Sequence, residues 1–132
     1  SITAKEEFTM TGVDSQTSMI LRYDSGAHAN LTTTLLVKSP CTATVVGTKG
    51  TLYIDGDFYT PTSMRFKRTT GEVIEIPKTY EGHGLREQAI EFAALLQAGK
   101  KESELMSLSD TQSIMETMDE IRSQINLFYP FE

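Results

Sequence analysis

Few side chains in this sequence are of the types that carry out acid–base, nucleophilic or metal chemistry. The sequence contains two histidines and one cysteine, at His28, His83 and Cys41. His28 stands between alanines on the more polar face of a predicted strand, with no cysteine or second histidine at ligand spacing, so we interpret it as a surface or interface residue. Cys41 lies in a predicted strand without a visible catalytic partner, where a cysteine is usually a small core residue.

Asp55 and Asp57 form a close pair of carboxylates on either side of Gly56. Such a pair can exchange protons in catalysis or bind calcium. A calcium loop needs further oxygen ligands at alternating positions, and the sequence does not continue that spacing. Carboxylates beside a glycine are typical of a tight turn, so we interpret both as turn residues. The sequence therefore predicts no catalytic, cofactor-binding or metal-binding residue.

His83 is the one residue that we single out as a candidate for a substrate cleft. It lies between Gly82 and Gly84 at the start of a predicted helix. Backbone N–H groups at a helix N-terminus attract anionic groups, so this histidine could face the substrate in a complete enzyme. The simpler alternative is that it belongs to a glycine hinge that helps to start the helix.

The elements that would position these residues centre on a β-hairpin at residues 46–54. Its turn is Gly47-Thr48-Lys49-Gly50, and we expect the glycine at each end to adopt backbone angles that a β-carbon would resist. Alternating and β-branched runs on both sides predict an antiparallel meander of about six or seven strands. The predicted strands cover residues 6–11, 17–23, 27–37, 41–46, 51–54, 63–68 and 73–76.

Two helices are predicted after the strands. Apolar residues recur at helical spacing from residue 85 to residue 98, and Gly99 follows as the expected C-terminal cap. Ser109 with Gln112 three residues later is the signature of a capping box, so we expect the second helix to begin there and to end at about residue 125. The apolar positions of the two helices are Leu85, Ala89, Phe92, Ala93, Leu96, Ile114, Met118, Ile121 and Ile125.

These elements predict an α+β fold, with an open-faced, mostly antiparallel β-sheet followed by two C-terminal helices packed on it. One face of the sheet would stay open, with threonine, asparagine, histidine and tyrosine side chains on it. The strand at residues 27–37 has two faces of different polarity, and the sequence leaves open which of them is covered. An open face of mixed polarity is a natural interface, so we predict a homodimer formed through it.

Composition narrows the classes of partner. Acidic residues outnumber basic residues by 18 to 12 in 132 residues, and the densest basic run is Arg65-Phe66-Lys67-Arg68, so we predict no nucleic-acid partner. No apolar run approaches the length of about 20 residues that spans a bilayer, so we predict no membrane partner. A single cysteine cannot form an internal disulfide, which is typical of a reducing compartment, and we predict a cytoplasmic location.

The order and spacing of several short motifs resemble those of a known family. In the N-terminal half the motifs are Leu21-Arg22-Tyr23-Asp24-Ser25-Gly26-Ala27, Gly47-Thr48-Lys49-Gly50-Thr51 and Phe58-Tyr59-Thr60-Pro61. In the C-terminal half they are Gly82-His83-Gly84 with the helix after it, Ala98-Gly99-Lys100-Lys101-Glu102-Ser103, Ser109-Asp110, the run 115–125 and Tyr129-Pro130. Together they resemble the C-terminal part of the glucose–fructose oxidoreductase/inositol dehydrogenase/rhizopine catabolism (Gfo/Idh/MocA) family, and most closely its branch of dihydrodiol and xylose dehydrogenases.

The resemblance implies a fold and a context. Residues 1–132 would form a single C-terminal domain for substrate binding and oligomerisation, of the glyceraldehyde-3-phosphate dehydrogenase-like type. Family members pair this domain with an N-terminal Rossmann domain that binds NAD or NADP, and we expect that domain to lie outside this chain. A dinucleotide site needs a glycine-rich turn between a strand and a helix, whereas the turn at residues 47–50 is followed by a strand. We therefore expect no cofactor in this chain, NAD or NADP in the full-length protein, and the protein's own Rossmann domain as a partner.

The residues that the family uses for catalysis cannot be carried over to this sequence. The family's Glu-Lys-Pro motif has no counterpart here, and its catalytic histidine or tyrosine would come from a helix before Ser1. Because the sequence does not start with methionine, we expect it to be part of a longer protein.

Two hypotheses from different classes follow. The first is a substrate-binding and oligomerisation domain of an NAD(P)-dependent oxidoreductase that acts on a sugar, polyol or diol, not catalytic alone. The alternative is a free-standing, non-enzymatic module for dimerisation or small-ligand binding. A gene with roughly 200 further upstream residues and a glycine-rich βα turn would favour the first. A third reading, a small hydrolase or isomerase, is not supported by any Ser/His/acid or Cys/His set.

Overall fold

The computed structural model describes residues 1–60, 62–79 and 81–129. In that part of the chain, seven antiparallel strands are followed by two helices, which confirms the predicted α+β order. Pro61 and Pro130, which belong to two of the motifs above, lie outside the described residues. The elements are β1 (Ile2–Phe8), β2 (Asp14–Arg22), β3 (His28–Thr34), β4 (Ala43–Gly47), β5 (Gly50–Ile54), β6 (Met64–Arg68), β7 (Val73–Ile76), α1 (Leu85–Gln97) and α2 (Leu108–Gln124).

The strands form two sheets, which corrects the prediction of one continuous sheet around the hairpin. One sheet has the order β1-β2-β3 and the other β4-β5-β6-β7. The chain divides accordingly into a first unit, Ser1–Ser39 with Glu102–Glu132, and a second unit, Pro40–Lys101. The division falls at Ser39-Pro40, where proline has no N–H to donate to a ladder.

The strand predicted at residues 27–37 ends early for a local reason. Its register with β2 ends at Thr34, opposite Gln16, and the N–H of Leu35 donates one last hydrogen bond of 2.8 Å to the carbonyl of Ser15. The Thr34 hydroxyl then accepts a hydrogen bond of 3.2 Å from the N–H of Leu36, two residues on. Threonine side chains compete with the ladder in this way, and the chain turns out of the sheet before Val37.

The first unit has a small core between α2 and one face of its sheet. Ala4 on β1 is buried with Ile125 and Leu127, which follow α2, and Met19 and Ile121 pack against them. The strand registers place Met19 opposite both Ala4 and Leu31, so these residues share the covered face. The other face carries His28, Asn30, Thr32 and Thr34 and is open, as the sequence predicts for one of the two faces.

Gln124 joins the last turn of α2 to strand β1. Its side-chain oxygen accepts a hydrogen bond of 3.0 Å from the N–H of Ala4, and its side-chain nitrogen donates one of 3.0 Å to the carbonyl of Ile2. The two bonds satisfy one donor and one acceptor of an edge strand that has no further strand beside it.

The second unit contains the predicted hairpin, with Gly47 paired to Gly50 across the turn. Of the two turn glycines, Gly50 is required: it has φ 153°, and a β-carbon there would collide with the carbonyl oxygen of Lys67 on β6. At Gly47 the nearest atom would be 3.9 Å away, which is ordinary contact. The expectation that both glycines are needed is therefore correct only for Gly50.

Helix α1 follows its predicted bounds closely, and Gly99 follows its end at φ 66°. No residue of α1 is buried, however, and Leu85, Phe92 and Leu96 are 73%, 63% and 60% exposed. The predicted packing of a helix on a sheet is seen for α2 and not for α1.

Helix α2 begins earlier than predicted, because its capping box uses different residues. Ser107, not Ser109, is the N-cap, and its hydroxyl accepts a hydrogen bond of 3.0 Å from the N–H of Asp110. The Asp110 carboxylate accepts one of 3.2 Å from the N–H of Ser107. An aspartate can replace the glutamate or glutamine of the usual motif, and this substitution hides the signature in the sequence.

Candidate functional site

The predicted cleft residue His83 lies on the surface of the second unit, immediately before α1. It is exposed, between Gly82 at φ 74° and Gly84, the N-cap, at φ 84°. The Lys78 side chain donates a hydrogen bond of 3.2 Å to the carbonyl of Gly82 and so fixes the peptide before the histidine. Both glycines adopt left-handed backbone angles, which residues with a β-carbon rarely accept.

Two further charged side chains lie in the first turn of α1, just after this segment. Arg86 forms an ion pair of 2.7 Å with Glu87. The hydrogen bond from Arg86 is the largest cause that holds the pKa of the Glu87 carboxyl below its ordinary value, and a backbone hydrogen bond adds to it. Glu87 is therefore a carboxylate at neutral pH and cannot act as a proton donor there. Glu87 is paired with Arg86, so these two neighbours do not supply a proton donor next to His83.

The other residues considered from the sequence make local hydrogen bonds. Asp55 accepts a hydrogen bond of 2.5 Å from the Ser63 hydroxyl, and the Asp57 carbonyl accepts one of 2.9 Å from the N–H of Thr60. Asp57 lies in a bend, as predicted, whereas the N–H of Asp55 still donates to the carbonyl of Ser63 at the end of the β5–β6 ladder. Cys41 precedes β4 instead of lying within it, is partly buried, and accepts a hydrogen bond from the N–H of Phe58.

The open face of the first sheet is the structure's candidate interface. Its rows across the three strands include Lys5, Ser18 and Thr32, and next to them Thr3, Ile20 and Asn30. Ile20 is 49% exposed among these polar neighbours and lines a shallow hollow of about 270 Å³. His28 is exposed at the end of this face, opposite Arg22. An apolar centre within a polar surround is the usual anatomy of a protein interface.

Sequence reasoning missed an open groove of about 810 Å³ in the first unit, between α2 and the covered face of the sheet. Met19, Leu21 and Leu31 line its sheet side. Ile114 and Met118 line its helix side, and both are about half exposed. The apolar stripes on β2 and α2 were visible in the sequence. Their incomplete burial was not, because periodicity identifies an apolar face without saying what covers it.

The glycine turn of the hairpin does not have the geometry of a dinucleotide site. The glycine turn at residues 47–50 joins two antiparallel strands, so no helix N-terminus points at it to hold a pyrophosphate. Within residues 1–60, 62–79 and 81–129, no group of three or more His, Cys, Asp or Glu side chains is arranged to hold a metal ion. Across the same residues, neither helix has the length and apolar character needed to cross a membrane.

Comparison with known proteins identifies relatives along nearly the whole chain, although no protein-family model matches it. The chain is 35% identical over 136 aligned residues to the trans-1,2-dihydrobenzene-1,2-diol dehydrogenase of Xenopus tropicalis, a match that covers 98% of this chain. It is 33% identical to the same enzyme of Xenopus laevis over 98% of the chain, and 29% identical to that of Homo sapiens over 91%. These matches cover 41%, 41% and 37% of the relatives, so the chain spans about two fifths of their length.

Proposed function

The chain belongs to the Gfo/Idh/MocA family, in the branch of the dihydrodiol dehydrogenases, and from that premise we propose that it is the substrate-binding and oligomerisation domain of a larger oxidoreductase. The observation that carries the proposal is the match to the dihydrodiol dehydrogenases over 98% of this chain and 41% of the relative. A match that is complete for the chain and partial for the relative is expected for one domain of a two-domain enzyme.

The larger enzyme would oxidise a carbinol carbon of a sugar, polyol or diol with NAD or NADP. The cofactor would bind to an N-terminal Rossmann domain outside this chain, since the turn at residues 47–50 does not fit a pyrophosphate. The cofactor would supply the hydride acceptor, and this chain would help to bind and orient the substrate. We assign His83 to the substrate side of the cleft, because it is exposed between two glycines and its preceding peptide is hydrogen-bonded by Lys78.

We also assign two finer features to this domain. Its fold would be of the glyceraldehyde-3-phosphate dehydrogenase-like C-terminal type, a proposal supported by the run of antiparallel strands followed by two helices. Its open face around Ile20, Asn30 and Thr32 would form a homodimer, since a twofold interface brings the same apolar centre from each copy into contact.

The test is to express the complete gene product and to measure reduction of NAD and NADP with trans-1,2-dihydrobenzene-1,2-diol, and with a polyol and an aldose as alternative substrates. The proposal predicts a longer polypeptide with a glycine-rich βα turn, saturable nucleotide binding and turnover of at least one of these alcohols. A gene that encodes no such turn would contradict it and favour the alternative, a non-enzymatic module that dimerises or binds a small ligand.

A further inference from the structure

The open face of the first sheet carries charged side chains of opposite sign at its two ends. Glu7 on β1 lies opposite Gln16 on β2 at one end, and Arg22 on β2 lies opposite His28 on β3 at the other. A strand rises about 3.4 Å per residue, so the stretch from Gln16 to Arg22 separates the two ends by about 20 Å. The face therefore has an acidic end, at Glu7, and a basic end, at Arg22 and His28.

The side chains at both ends are available to groups outside the chain. Glu7, Arg22 and His28 are all exposed. In the part of the chain that the structure describes, none of these three side chains forms an ion pair or a hydrogen bond with another residue. A surface of opposite charge could therefore pair with either end without displacing an existing partner.

The middle of the face is mainly uncharged. Ser18 pairs with Thr32, and Ile20 pairs with Asn30, across β2 and β3. Lys5 lies beside Ser18 on β1 and is the one charged side chain between the two ends on these three described strands. The midpoint of the face lies between Ser18 and Ile20 on the central strand, so a twofold axis that passes there would exchange the two ends.

Twofold symmetry leaves two ways of stacking this face on a second copy with aligned strands. An axis parallel to the strands places Arg22 and His28 over the same end of the second copy, where like charges oppose association. An axis across the strands reverses the strands of the second copy and places its basic end over the acidic end, at Glu7. In projection, Glu7 then lies about one strand spacing, 4.8 Å, from Arg22 of the second copy, a distance that their side chains can span. The charges therefore favour the reversed arrangement.

We propose that the open face binds a second copy of this chain with its strands reversed, and that Glu7 of each copy pairs with Arg22 of the other. The inference rests on the open-face dimer of the proposed function and adds its orientation. Ile20 of the two copies meets near the axis, where it is 49% exposed in the single chain. The charged ends select the orientation, while Ile20 and its uncharged neighbours form the centre from which water is excluded.

Charge reversal at the two ends tests this arrangement in the complete gene product. Glu7→Arg and Arg22→Glu each bring like charges together, so each should raise the dissociation constant of the dimer at least about tenfold, measured by analytical ultracentrifugation at low salt. The double variant restores opposite charges and should return to within about threefold of the wild type. Glu116→Arg controls for net charge, because residue 116 is exposed on α2, which packs on the other face of the sheet, and it should leave the constant unchanged.

The outcomes of this cycle are distinct. If Arg22→Glu does not fold, as judged by circular dichroism, His28→Glu takes its place in the cycle. Single variants that dissociate like the wild type, or a double variant in which the two losses multiply, would overturn the reversed arrangement. Thr32→Lys separates the two proposals. A dimer that Thr32→Lys weakens and the charge reversals leave unchanged refutes only the orientation, whereas a monomeric wild type refutes the open-face dimer as well.

Discussion

At the scale of single residues, His83 is the side chain that can contact substrate if the domain has the role proposed for it. The exposed imidazole follows Gly82, whose carbonyl is held by Lys78, so the ring is presented from a fixed backbone. Loss of one substrate hydrogen bond costs about 1.4 kcal/mol, so His83→Ala should raise KM of the complete enzyme by about tenfold. Lys49→Ala, in the hairpin turn, is the control. An unchanged KM for the alcohol in His83→Ala would remove this residue from the site.

The ionisation of Asp110 should affect the free energy of unfolding of the first unit. The hydrogen bond from the Ser107 hydroxyl is the largest cause that lowers the pKa of the Asp110 carboxyl, followed by that from the Ser107 N–H. A carboxyl with a lowered pKa stabilises the fold above its unfolded-state pKa, and the contribution is lost as the pH falls through the folded-state value. We therefore expect the capping box of α2 to weaken below about pH 4.

Urea denaturation at pH 7 and pH 3 tests this prediction. Asp110→Asn should lower the midpoint at pH 7 and reduce its fall between the two pH values, because it removes the ionisable group. Ser107→Ala should reduce this fall in part, since it removes the hydroxyl hydrogen bond, the largest cause of the lowered pKa, and keeps the backbone N–H of residue 107. If the midpoint of both variants falls with acid as much as that of the wild type, protonation of Asp110 does not affect the stability of the fold.

At the scale of elements, the hairpin between β4 and β5 depends on one glycine more than on the other. Gly50→Ala would press a β-carbon against the carbonyl of Lys67 and close to the Phe66 ring, and we expect a loss of about 2–3 kcal/mol in the free energy of unfolding. Gly47→Ala is a matched control in the same turn and should change it by less than about 1 kcal/mol. Equal losses in the two variants, measured by denaturant titration, would contradict the close approach seen at Gly50.

The open face is the element that we expect to form the dimer. Thr32→Lys would place an unpaired ammonium group in each half of a twofold interface, and we expect the dimer to dissociate at least about tenfold more readily. Thr33→Lys is the matched control, since residue 33 lies on the same strand but on the opposite face. Light scattering over a range of concentrations measures the effect. A dimer that is equally stable in both variants would exclude this face as the interface.

Most elements could be predicted from the sequence, because each depends on local patterns. The strand at residues 73–76 and the helix that begins at Leu85 were recognised from alternation and helical spacing. Several boundaries were wrong: the strand predicted at residues 6–11 is Ile2–Phe8, and the one predicted at residues 17–23 is Asp14–Arg22. At two further boundaries one side chain overrides the pattern. The Thr34 hydroxyl ends β3 early, and Asp110 takes the place of the expected glutamate or glutamine in the capping box.

The arrangement of the elements could be predicted less well, because it depends on contacts that no local pattern encodes. Three features depend on what covers an apolar face, which the sequence does not encode locally. They are the separation of the strands into two sheets, the exposed stripe of α1 and the groove beside α2. The covered face of the first sheet was decided by where Ile121 and Ile125 meet Ala4 and Met19, which are distant in sequence. The glycines on either side of His83 identify it as a candidate in the sequence, but the sequence does not identify the substrate of the proposed enzyme.

At the scale of the whole molecule, we propose that the chain supplies a scaffold and contact surfaces and that the cofactor half of the enzyme lies outside it. The match to the dihydrodiol dehydrogenases extends along nearly all of this chain and along two fifths of theirs. The described elements contain a glycine turn between antiparallel strands where a nucleotide site would need a strand, a turn and a helix. A division of labour between two domains accounts for both observations.

The most direct test is calorimetric titration of NADH and of NADPH into this chain and into the complete gene product, under the same conditions. The account predicts saturable binding by the complete protein and none by this chain at the same concentrations. Saturable binding of either nucleotide by this chain alone would contradict it. A nucleotide site would then be formed by residues assigned here to the sheets and helices, and the division of labour would have to be abandoned.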